Sequence, residues 1–398
     1  MKQSEIVSYT QKSYGRNGEV ANIFRQFNAG VDLSMPGPRR LGKTFVLERL
    51  VDAGPSLHWN VVKVEVAGCT DTSGFFRQFC LKIANERQWP SRSFNWFLQR
   101  LGQAIDPRTA STGNWYQAFI SLDYETYFER LIKVLNDDKD CKWALLIDEL
   151  PIFLNALHDQ GSQGVIAARN FMNQISRLRV DCPNVRWLIT GSIGLEPLAQ
   201  TGNYMGVLAK FQPYYLETLT HEQARDFVID LALIGKLMHR TQITSVEADA
   251  IVHATGWRSA FYLEAVAKKL SGSPTEDVKK AHEMTEDAIE KLLNPMELAT
   301  FGVWEEHLKK HYDTSSRTLA LAMLGALAKN PQGLGINALL TAVAQPEITA
   351  EKLRKVLVRL DVDGFISVDT WGASDPLATF RNVLLRRWWL RFPPSSAK

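Results

Sequence analysis

A phosphate-loop pattern lies near the start of this 398-residue chain, within the stretch SMPGPRRLGKTFVLERL. The spacing G-x-x-x-x-G-K-[ST] is met by Gly37, Gly42, Lys43 and Thr44. A short candidate strand at residues 31–35 precedes the loop, and apolar residues at helical spacing follow it. A helix that starts after such a loop aims backbone N–H groups and its dipole at phosphate oxygens. The pattern therefore predicts a nucleotide-binding α/β core, with a surface turn beside a chance Lys-Thr pair as the alternative.

The residues expected to contact nucleotide on this basis form one continuous segment. They are Gly37, Pro38, Arg39, Arg40, Leu41, Gly42, Lys43 and Thr44. We expect Lys43 to reach the β and γ phosphates and the Thr44 hydroxyl to hold Mg²⁺. ATP and Mg²⁺ are therefore the predicted cofactors.

A second motif, KWALLIDELP at residues 142–151, is an apolar run that ends in two acids. Such a run predicts a strand buried on both faces, as in a parallel sheet. Asp148 and Glu149 then lie at its carboxyl end, where open α/β sheets bind ligands. We expect Asp148 to support the Mg²⁺ ion and Glu149 to polarise the attacking water. Lys43 is the second predicted catalytic residue, through its contact with the β and γ phosphates. An acidic turn before Pro151 is the alternative interpretation.

A third strand is predicted at NVRWLITGS, residues 184–192, which ends in small hydroxyl residues. Thr190 or Ser192 could orient the lytic water or sense the γ phosphate. A polar strand end that caps the next turn explains either residue equally well.

Composition narrows the class of protein. The formal net charge is only +3, so any basic surface must be local. Cys69, Cys80, Cys141 and Cys182 stand apart without a CxxC pair, which argues against a zinc site or a disulfide framework. The N-terminal residues lack the apolar segment of a signal peptide, and no window approaches ~20 apolar residues. These features predict a cytoplasmic protein.

Several ordered stretches together resemble the archaeal-type P-loop ATPases of prokaryotes, a branch related to STAND and AAA+ proteins. YGRNGEVANIFRQF is similar to the N-terminal Gly-Arg…Glu box of that family, with Gly15, Arg16 and Glu19 at its positions. GPRRLGKT is similar to its arginine-rich phosphate loop, LLIDELP to its acidic motif and LITGS to its sensor strand. The resemblance implies that Gly15 and Arg16 join the nucleotide-binding set.

The lid of the family is matched less closely. YYLETLTHEQARDFV resembles the segment that leads into the lid, and TGWRSAFYLEAVAKKL occupies the place of its Gly-x-Pro box. Ser259 here replaces the proline that would follow Arg258. By analogy with AAA+ lids, Arg258 is a candidate contact for the γ phosphate, although a solvent-facing arginine at a helix start fits as well. Arg177 and Arg179 occupy the place of an arginine finger, or are simply part of a charged helix end.

We therefore predict an α/β fold, with a P-loop NTPase parallel-sheet core, a helical lid and a C-terminal winged-helix domain. The expected boundaries are residues 1–213 for the core with an insertion at about 90–125, 214–271 for the lid, 272–316 for linker helices and 317–398 for the winged helix. Ser273 or Thr275 is the expected start signal of the first linker helix.

The winged-helix prediction rests on three helices followed by two short strands. In the third helix, Lys352, Lys355 and Arg359 share one face and could contact DNA phosphates. From Arg317 to the end, 11 Lys and Arg residues stand against 6 Asp and Glu residues. A basic face on a protein-binding winged helix is the alternative. The family resemblance favours core packing for Trp388 and Trp389, over stacking on nucleic acid.

The leading functional hypothesis is an ATP-dependent switch in which nucleotide bridges core and lid and the C-terminal domain binds duplex DNA or a protein. One alternative is a DNA-binding adaptor in which ATP is structural. Another is a scaffold that forms a homo-oligomer on ATP and controls a separately encoded effector in a defence or mobile-element system, an idea that rests on family analogy.

Overall fold

The computed structural model describes Tyr14 and residues 16–84, 124–138, 141–192, 194–237, 240–343, 348–369 and 375–393. The chain divides into two compact units. The core unit comprises Arg16–Pro36 and Lys43–Leu216. Within the described residues, the helical unit comprises Tyr14, Gly37–Gly42 and the chain from Glu217 onwards. Gly15 and most of the expected insertion at 90–125 lie outside the described residues.

A five-stranded parallel sheet forms the centre of the core unit. Its strands are β1 (Leu33–Pro36), β2 (Trp59–Glu65), β3 (Lys142–Asp148), β4 (Val185–Gly191) and β5 (Gln212–Pro213). Their order is β2-β3-β4-β1-β5, and every neighbouring pair is parallel. The strand that precedes the phosphate loop, β1, is thus separated from the acidic strand, β3, by β4. The parallel α/β core predicted from the sequence is confirmed.

Eight helices accompany this sheet within the described part of the core unit. They are α1 (Arg16–Asn28), α2 (Lys43–Ala53), α3 (Thr72–Ala84), α4 (Tyr124–Asn136), α5 (Leu150–His158), α6 (Ser162–Asp181), α7 (Leu195–Gly202) and α8 (Met205–Leu208). Every residue of β4 and all but the first of β3 are buried, because the sheet is covered on both faces.

Aromatic side chains fill much of the core. Phe75 on α3 lies 4.6 Å from the ring of Phe171 on α6 and 5.2 Å from Phe153 on α5, measured between ring centroids. Trp143 and Trp187, on the central strands, are also almost fully buried. Replacing a buried phenylalanine of this kind by alanine typically costs about 3–5 kcal/mol.

The helical unit begins with three helices, α9 (His221–Leu233), α10 (Ser245–Thr255) and α11 (Ala260–Lys269). Thr220 and Thr244 close capping boxes at the starts of α9 and α10, so local sequence fixes both helix starts. Two further helices follow, α12 (Val278–Leu292) and α13 (Leu298–His311). The N-cap of α12 is Asp277, whose side chain accepts from the amide of Lys280, so the expected start at Ser273 or Thr275 was wrong.

The C-terminal part combines helices with a small antiparallel sheet, an arrangement consistent with a winged helix. Its elements are α14 (Thr314–Lys329), β6 (Leu334–Gly335), α15 (Ile336–Val343), α16 (Ala350–Val362), β7 (Ile366–Asp369), β8 (Leu377–Phe380) and α17 (Val383–Arg391). The sheet order is β6-β8-β7. The short strand β6 was missed in the sequence, because two residues carry no alternating pattern.

Helix α17 packs against the rest of the helical unit through its tryptophans. Trp388 and Trp389 are buried, and the ring of Trp388 stacks on Phe301 of α13 at 5.9 Å. Arg387 and Arg391 pair with Glu290 at 3.0 and 2.7 Å. The predicted core packing of the two tryptophans is confirmed.

No helix in the described part of the chain has both the length and the apolar character needed to cross a lipid bilayer.

Candidate nucleotide-binding site

The start of α2 carries the last two residues of the phosphate-loop pattern. Lys43 is 5% exposed, which is unusual for a lysine and requires polar partners. The next residue, Thr44, donates its hydroxyl to Oδ2 of Asp148 at 3.1 Å. The structure therefore brings Thr44 and Asp148 together, as expected for the two predicted Mg²⁺ residues.

Asp148 ends β3 and is 2% exposed, so its charge needs compensation. The hydroxyl of Thr190 on the adjacent strand β4 donates to Oδ1 at 2.5 Å. The ammonium group of Lys63 on β2, the strand on the other side, lies 3.6 Å from Oδ2. Hydroxyl groups of two elements and one ammonium group thus surround this carboxylate.

The donor set suits a hard divalent cation. Carboxylate and hydroxyl oxygens are the ligand types that Mg²⁺ prefers. Thr44 and Asp148, whose side-chain oxygens lie 3.1 Å apart, are the residues that would hold such a cation.

Glu149 follows Asp148 in a left-handed backbone conformation, with φ of 61°, at the N-cap of α5. Non-glycine residues held in this region concentrate at functional sites. Its amide donates to the Thr190 hydroxyl at 3.3 Å, and its Oε2 accepts from the amide and hydroxyl of Ser192 at 3.0 and 2.8 Å. Thr190 therefore touches both acids, and Ser192 holds the side chain of the second.

Arg16 starts α1 and is buried beside Glu19, with 3.5 Å between the charged atoms. Burial lowers the pKa of the Arg16 guanidinium, and the Glu19 carboxylate opposes that shift. The Tyr214 hydroxyl also donates to Glu19. This group links the first helix of the core unit to the residues that follow β5.

Residues Gly37–Gly42 of the phosphate loop belong to the helical unit. Three of them have positive φ angles, 149° for Gly37, 68° for Arg40 and 98° for Gly42. Glycine tolerates such angles, whereas in Arg40 the conformation must be stabilised by neighbours.

Two residues stabilise this conformation of Arg40: Ser259, the N-cap of α11, and Phe261, within α11. Ser259, which is 1% exposed, donates its hydroxyl to the carbonyl oxygen of Arg40. The guanidinium of Arg40 lies 4.0 Å from the ring centroid of Phe261, a cation–π contact. Ser259 thus holds the backbone of the loop at Arg40, and the Arg40 side chain stacks on an aromatic ring.

The tip of the loop also meets the C-terminal part of the helical unit. Gly364, at the turn between α16 and β7, has a φ of 86°, and a Cβ there would lie 1.9 Å from the Cβ of Pro38. The pKa of His311 on α13 is lowered to about 4, first by burial and then by the charges of His307 and Arg39. The loop is therefore in contact with, or electrostatically linked to, residues from α11 to β7.

The arginines proposed as sensors or fingers already have protein partners. Arg258 donates its Nε to the carbonyl of Leu219 at 2.7 Å. Arg179 donates to Asp32 at 2.6 Å and lies 4.4 Å from the ring of Phe211. Arg177 pairs with Glu129 and keeps more than half of its side chain exposed. Of the two finger candidates, Arg179 is thus tied into the fold.

The predicted basic row on α16 divides into two parts. Lys352 and Lys355 are exposed, and Lys355 pairs with Glu351 at 2.9 Å. Arg359 instead lies 4.0 Å from the ring centroid of Tyr312 and donates to the carbonyl of His311. The structure therefore leaves the two lysines on the surface and engages the arginine in packing.

Four residues near these groups were missed by sequence reasoning: Lys63, Ser259, Phe261 and Gly364. A lysine inside the apolar strand NVVKVEV was a usable signal for Lys63. Gly364 gave a weaker one, because a glycine between a helix and a strand also fits an ordinary turn. Nothing in the sequence placed Ser259 or Phe261 against the loop, which lies more than two hundred residues away.

No model of a known protein family matches this chain, and no curated protein sequence does. Solved structures do match. The Walker-type ATPase PABY2304 of Pyrococcus abyssi aligns with a TM-score of 0.63 at 13% identity, over 95% of this chain and 96% of that one. The Aeropyrum pernix ORC2 protein, solved as ADPNP-ADP complexes, aligns with a TM-score of 0.53 at 12% identity, over 96% and 93%. At these identities the matches show a shared fold.

Proposed function

We propose that this protein is an ATP-binding and ATP-hydrolysing switch of the AAA+ type. The observation that carries the proposal is the convergence of Thr44, Thr190 and Ser192 on the two acids at the end of β3. The fold shared with a Walker-type ATPase, and with a protein solved as ADPNP-ADP complexes, supports it. Resemblance of the sequence motifs to archaeal-type and STAND-related ATPases adds further support.

In this proposal residues 37–44 bind the phosphates. Backbone N–H groups of the loop and the start of α2 face anionic oxygens, and Lys43 neutralises the β and γ phosphates. Thr44 and Asp148 hold Mg²⁺, which supplies neutralising charge to the phosphates. Gly15 and Arg16 complete the proposed nucleotide-binding set on the strength of the family resemblance.

Glu149 is the proposed general base. Ser192 engages Oε2 of its carboxylate through two hydrogen bonds, while Oε1 has no hydrogen-bond partner among the described residues. An oxygen presented in this way can accept a proton from a water molecule that attacks the γ phosphate. Thr190 fixes the relative position of the two acids through its contacts with both.

The phosphate loop is the proposed element that transmits nucleotide state. Its tip contacts Ser259, Phe261 and Gly364, so a change of loop conformation on binding must alter those contacts. By linkage, a partner that changes these residues changes nucleotide affinity by the same factor. Residues 214–271, 272–316 and 317–398 are, in this proposal, the lid, the linker and the output domain.

The proposed output surface is the exposed face of α16, which carries Lys352 and Lys355. Its charge suits the phosphates of duplex DNA, and an acidic protein surface is the other candidate partner. Arg359 is not part of this proposed face, because it packs on Tyr312. An ATP-dependent homo-oligomer that controls a separately encoded effector remains an analogy with the family.

ATP binding by wild type and by Lys43→Ala, measured by calorimetry, tests the proposal. We expect the variant to lose at least a hundredfold in ATP affinity, because the buried Lys43 ammonium group that neutralises the phosphates is missing. Lys142→Ala is the matched control, since Lys142 lies at the opposite end of β3 from the acids. Equal ATP affinity in wild type and Lys43→Ala would overturn the assignment of the loop.

A further inference from the structure

Lys63 is a charged side chain of the core unit that the proposed chemistry does not use. It lies on β2, and its side chain is 17% exposed. Its ammonium nitrogen lies 3.6 Å from Asp148 Oδ2 and 3.4 Å from Glu48 Oε1. It therefore shares its charge between a buried carboxylate and an exposed one.

The oxygen of Asp148 nearest to Lys63 is also the oxygen that Thr44 contacts. A divalent cation bound by Thr44 and Asp148 would thus meet an ammonium group beside its carboxylate ligand. The cation and the Lys63 ammonium group carry like charges and therefore repel each other. The Asp148 carboxylate cannot neutralise the divalent cation and the Lys63 ammonium group at the same time.

The surroundings of Lys63 give its ammonium group another place to lie. A cavity of about 400 Å³ opens beside it, lined among others by Glu48, Asp52 and Glu65. Lys63 is itself part of this lining, so its flexible stem can turn towards the acids without a change in the strand. Glu48 is already within ion-pair distance.

We propose that Lys63 is a positioning residue that competes with Mg²⁺ for Asp148 and thereby sets the divalent-cation affinity of the nucleotide site. When the cation binds with nucleotide, Lys63 transfers its ion pair from Asp148 to Glu48 and the cavity acids. The protein then takes up Mg²⁺ tightly only together with phosphate oxygens. This inference rests on the proposed function, since it concerns the same site.

The test uses Mn²⁺ as a spectroscopic substitute for Mg²⁺. Binding of Mn²⁺ to the full-length protein with saturating ADP is followed by electron paramagnetic resonance, for wild type, Lys63→Met and Lys63→Arg. Removal of the competing charge in Lys63→Met should tighten Mn²⁺ binding roughly tenfold, in line with a partly screened charge pair. Lys63→Arg keeps the charge and should bind as wild type does.

Lys142→Met controls for the loss of a lysine elsewhere on the sheet. ADP binding measured without divalent cation distinguishes a failure of the proposed function from a failure of the inference about Lys63. If wild type binds no ADP, the proposed function itself fails. If all proteins bind ADP but Lys63→Met and wild type bind Mn²⁺ equally, Lys63 is only a structural ion-pair residue and the inference is overturned. Weaker Mn²⁺ binding by Lys63→Met would overturn it as well.

Discussion

At the level of single residues, Glu149 shows how local strain and hydrogen bonding serve one site. Its left-handed conformation costs on the order of 1–2 kcal/mol for a residue with a side chain. The Thr190 hydroxyl accepts a hydrogen bond from the Glu149 amide, and Ser192 donates two hydrogen bonds to the Glu149 carboxylate. Residues at the end of β4 thus stabilise an otherwise unfavourable conformation.

Substitution of Ser192 by alanine tests the role of this contact. The hydroxyl bond to a charged oxygen is lost, and the carboxylate gains freedom to leave the orientation proposed for the general base. We expect ATP turnover to fall about tenfold or more, the value of a hydrogen bond to a charged group, while ATP affinity stays unchanged. Ser162→Ala, at the exposed start of α6, is the control. Unchanged turnover in Ser192→Ala would show that Ser192 does not position the base.

The sequence predicted which residues lie at the candidate site better than it predicted their contacts. Thr190 and Ser192 were expected at the end of a strand next to Asp148 and Glu149, and the structure places them within hydrogen-bond distance. Which hydroxyl contacts which acid depends on strand register, and that is set by packing across the sheet. Sequence spacing contains no such information.

At the level of elements, the phosphate loop is shaped by residues far away in sequence. Ser259 and Phe261 hold Arg40 through one hydrogen bond and one cation–π contact, while Gly364 leaves room for Pro38. A side chain at Gly364 would both clash with the loop and adopt an unfavourable φ. A change in the conformation of the loop therefore alters its contacts with Ser259, Phe261 and Gly364.

Ser259→Ala tests whether these contacts preorganise the loop for nucleotide. With the donor to the Arg40 carbonyl removed, the strained loop conformation is less populated and ATP must restore it. We expect ATP affinity to fall roughly three- to tenfold, the worth of one buried hydrogen bond. Ser273→Ala, an exposed serine of the same unit, should bind ATP as wild type does. Tighter ATP binding by Ser259→Ala would instead mean that the contact restrains the loop.

Elements with a strong local signal were predicted well. The apolar runs of β3 and β4 and the helix after Lys43 follow from periodicity, because burial on both faces requires uninterrupted apolar residues. The start of α12 was missed, since Ser273, Thr275 and Asp277 are all residue types that favour the N-cap and only the structure identifies Asp277 as the one that caps the helix. Arg359 was placed in a cationic row, whereas its partners Tyr312 and His311 come from another helix end.

At the level of the whole molecule, the small net charge of +3 conceals an uneven distribution. Lys352 and Lys355 are exposed on α16, where Lys355 pairs with Glu351. Arg387 and Arg391 of α17 are instead neutralised by Glu286 and Glu290 of α12. A DNA contact through α16 would thus involve few phosphates. Its affinity should be modest and only weakly dependent on salt, because the slope of log affinity against log salt grows with the number of phosphates contacted.

Loss of the two lysines tests this contact with duplex DNA. Each phosphate contact contributes about 0.9 to the slope of log affinity against log salt, so Lys352→Ala with Lys355→Ala should lower the slope by about 2. The matched control removes the same charge from exposed positions on α13, as Lys309→Ala with Lys310→Ala. Fluorescence anisotropy across a salt series gives both slopes. The same slope in both double variants would contradict a DNA-binding role for α16 and favour a protein partner.

In the proposed function, Asp148 and Glu149 at the end of β3 support the hydrolysis of ATP. The most direct measurement is phosphate release from ATP by wild type and Glu149→Gln at saturating ATP, with ATP binding by both proteins determined in parallel. Glutamine keeps the size of the side chain but cannot take a proton from water, so turnover should fall about a hundredfold or more. ATP binding should persist in the variant, because Glu149 is not among the residues proposed to hold the phosphates. Equal rates of phosphate release, or the absence of ATP binding by wild type, would contradict the account.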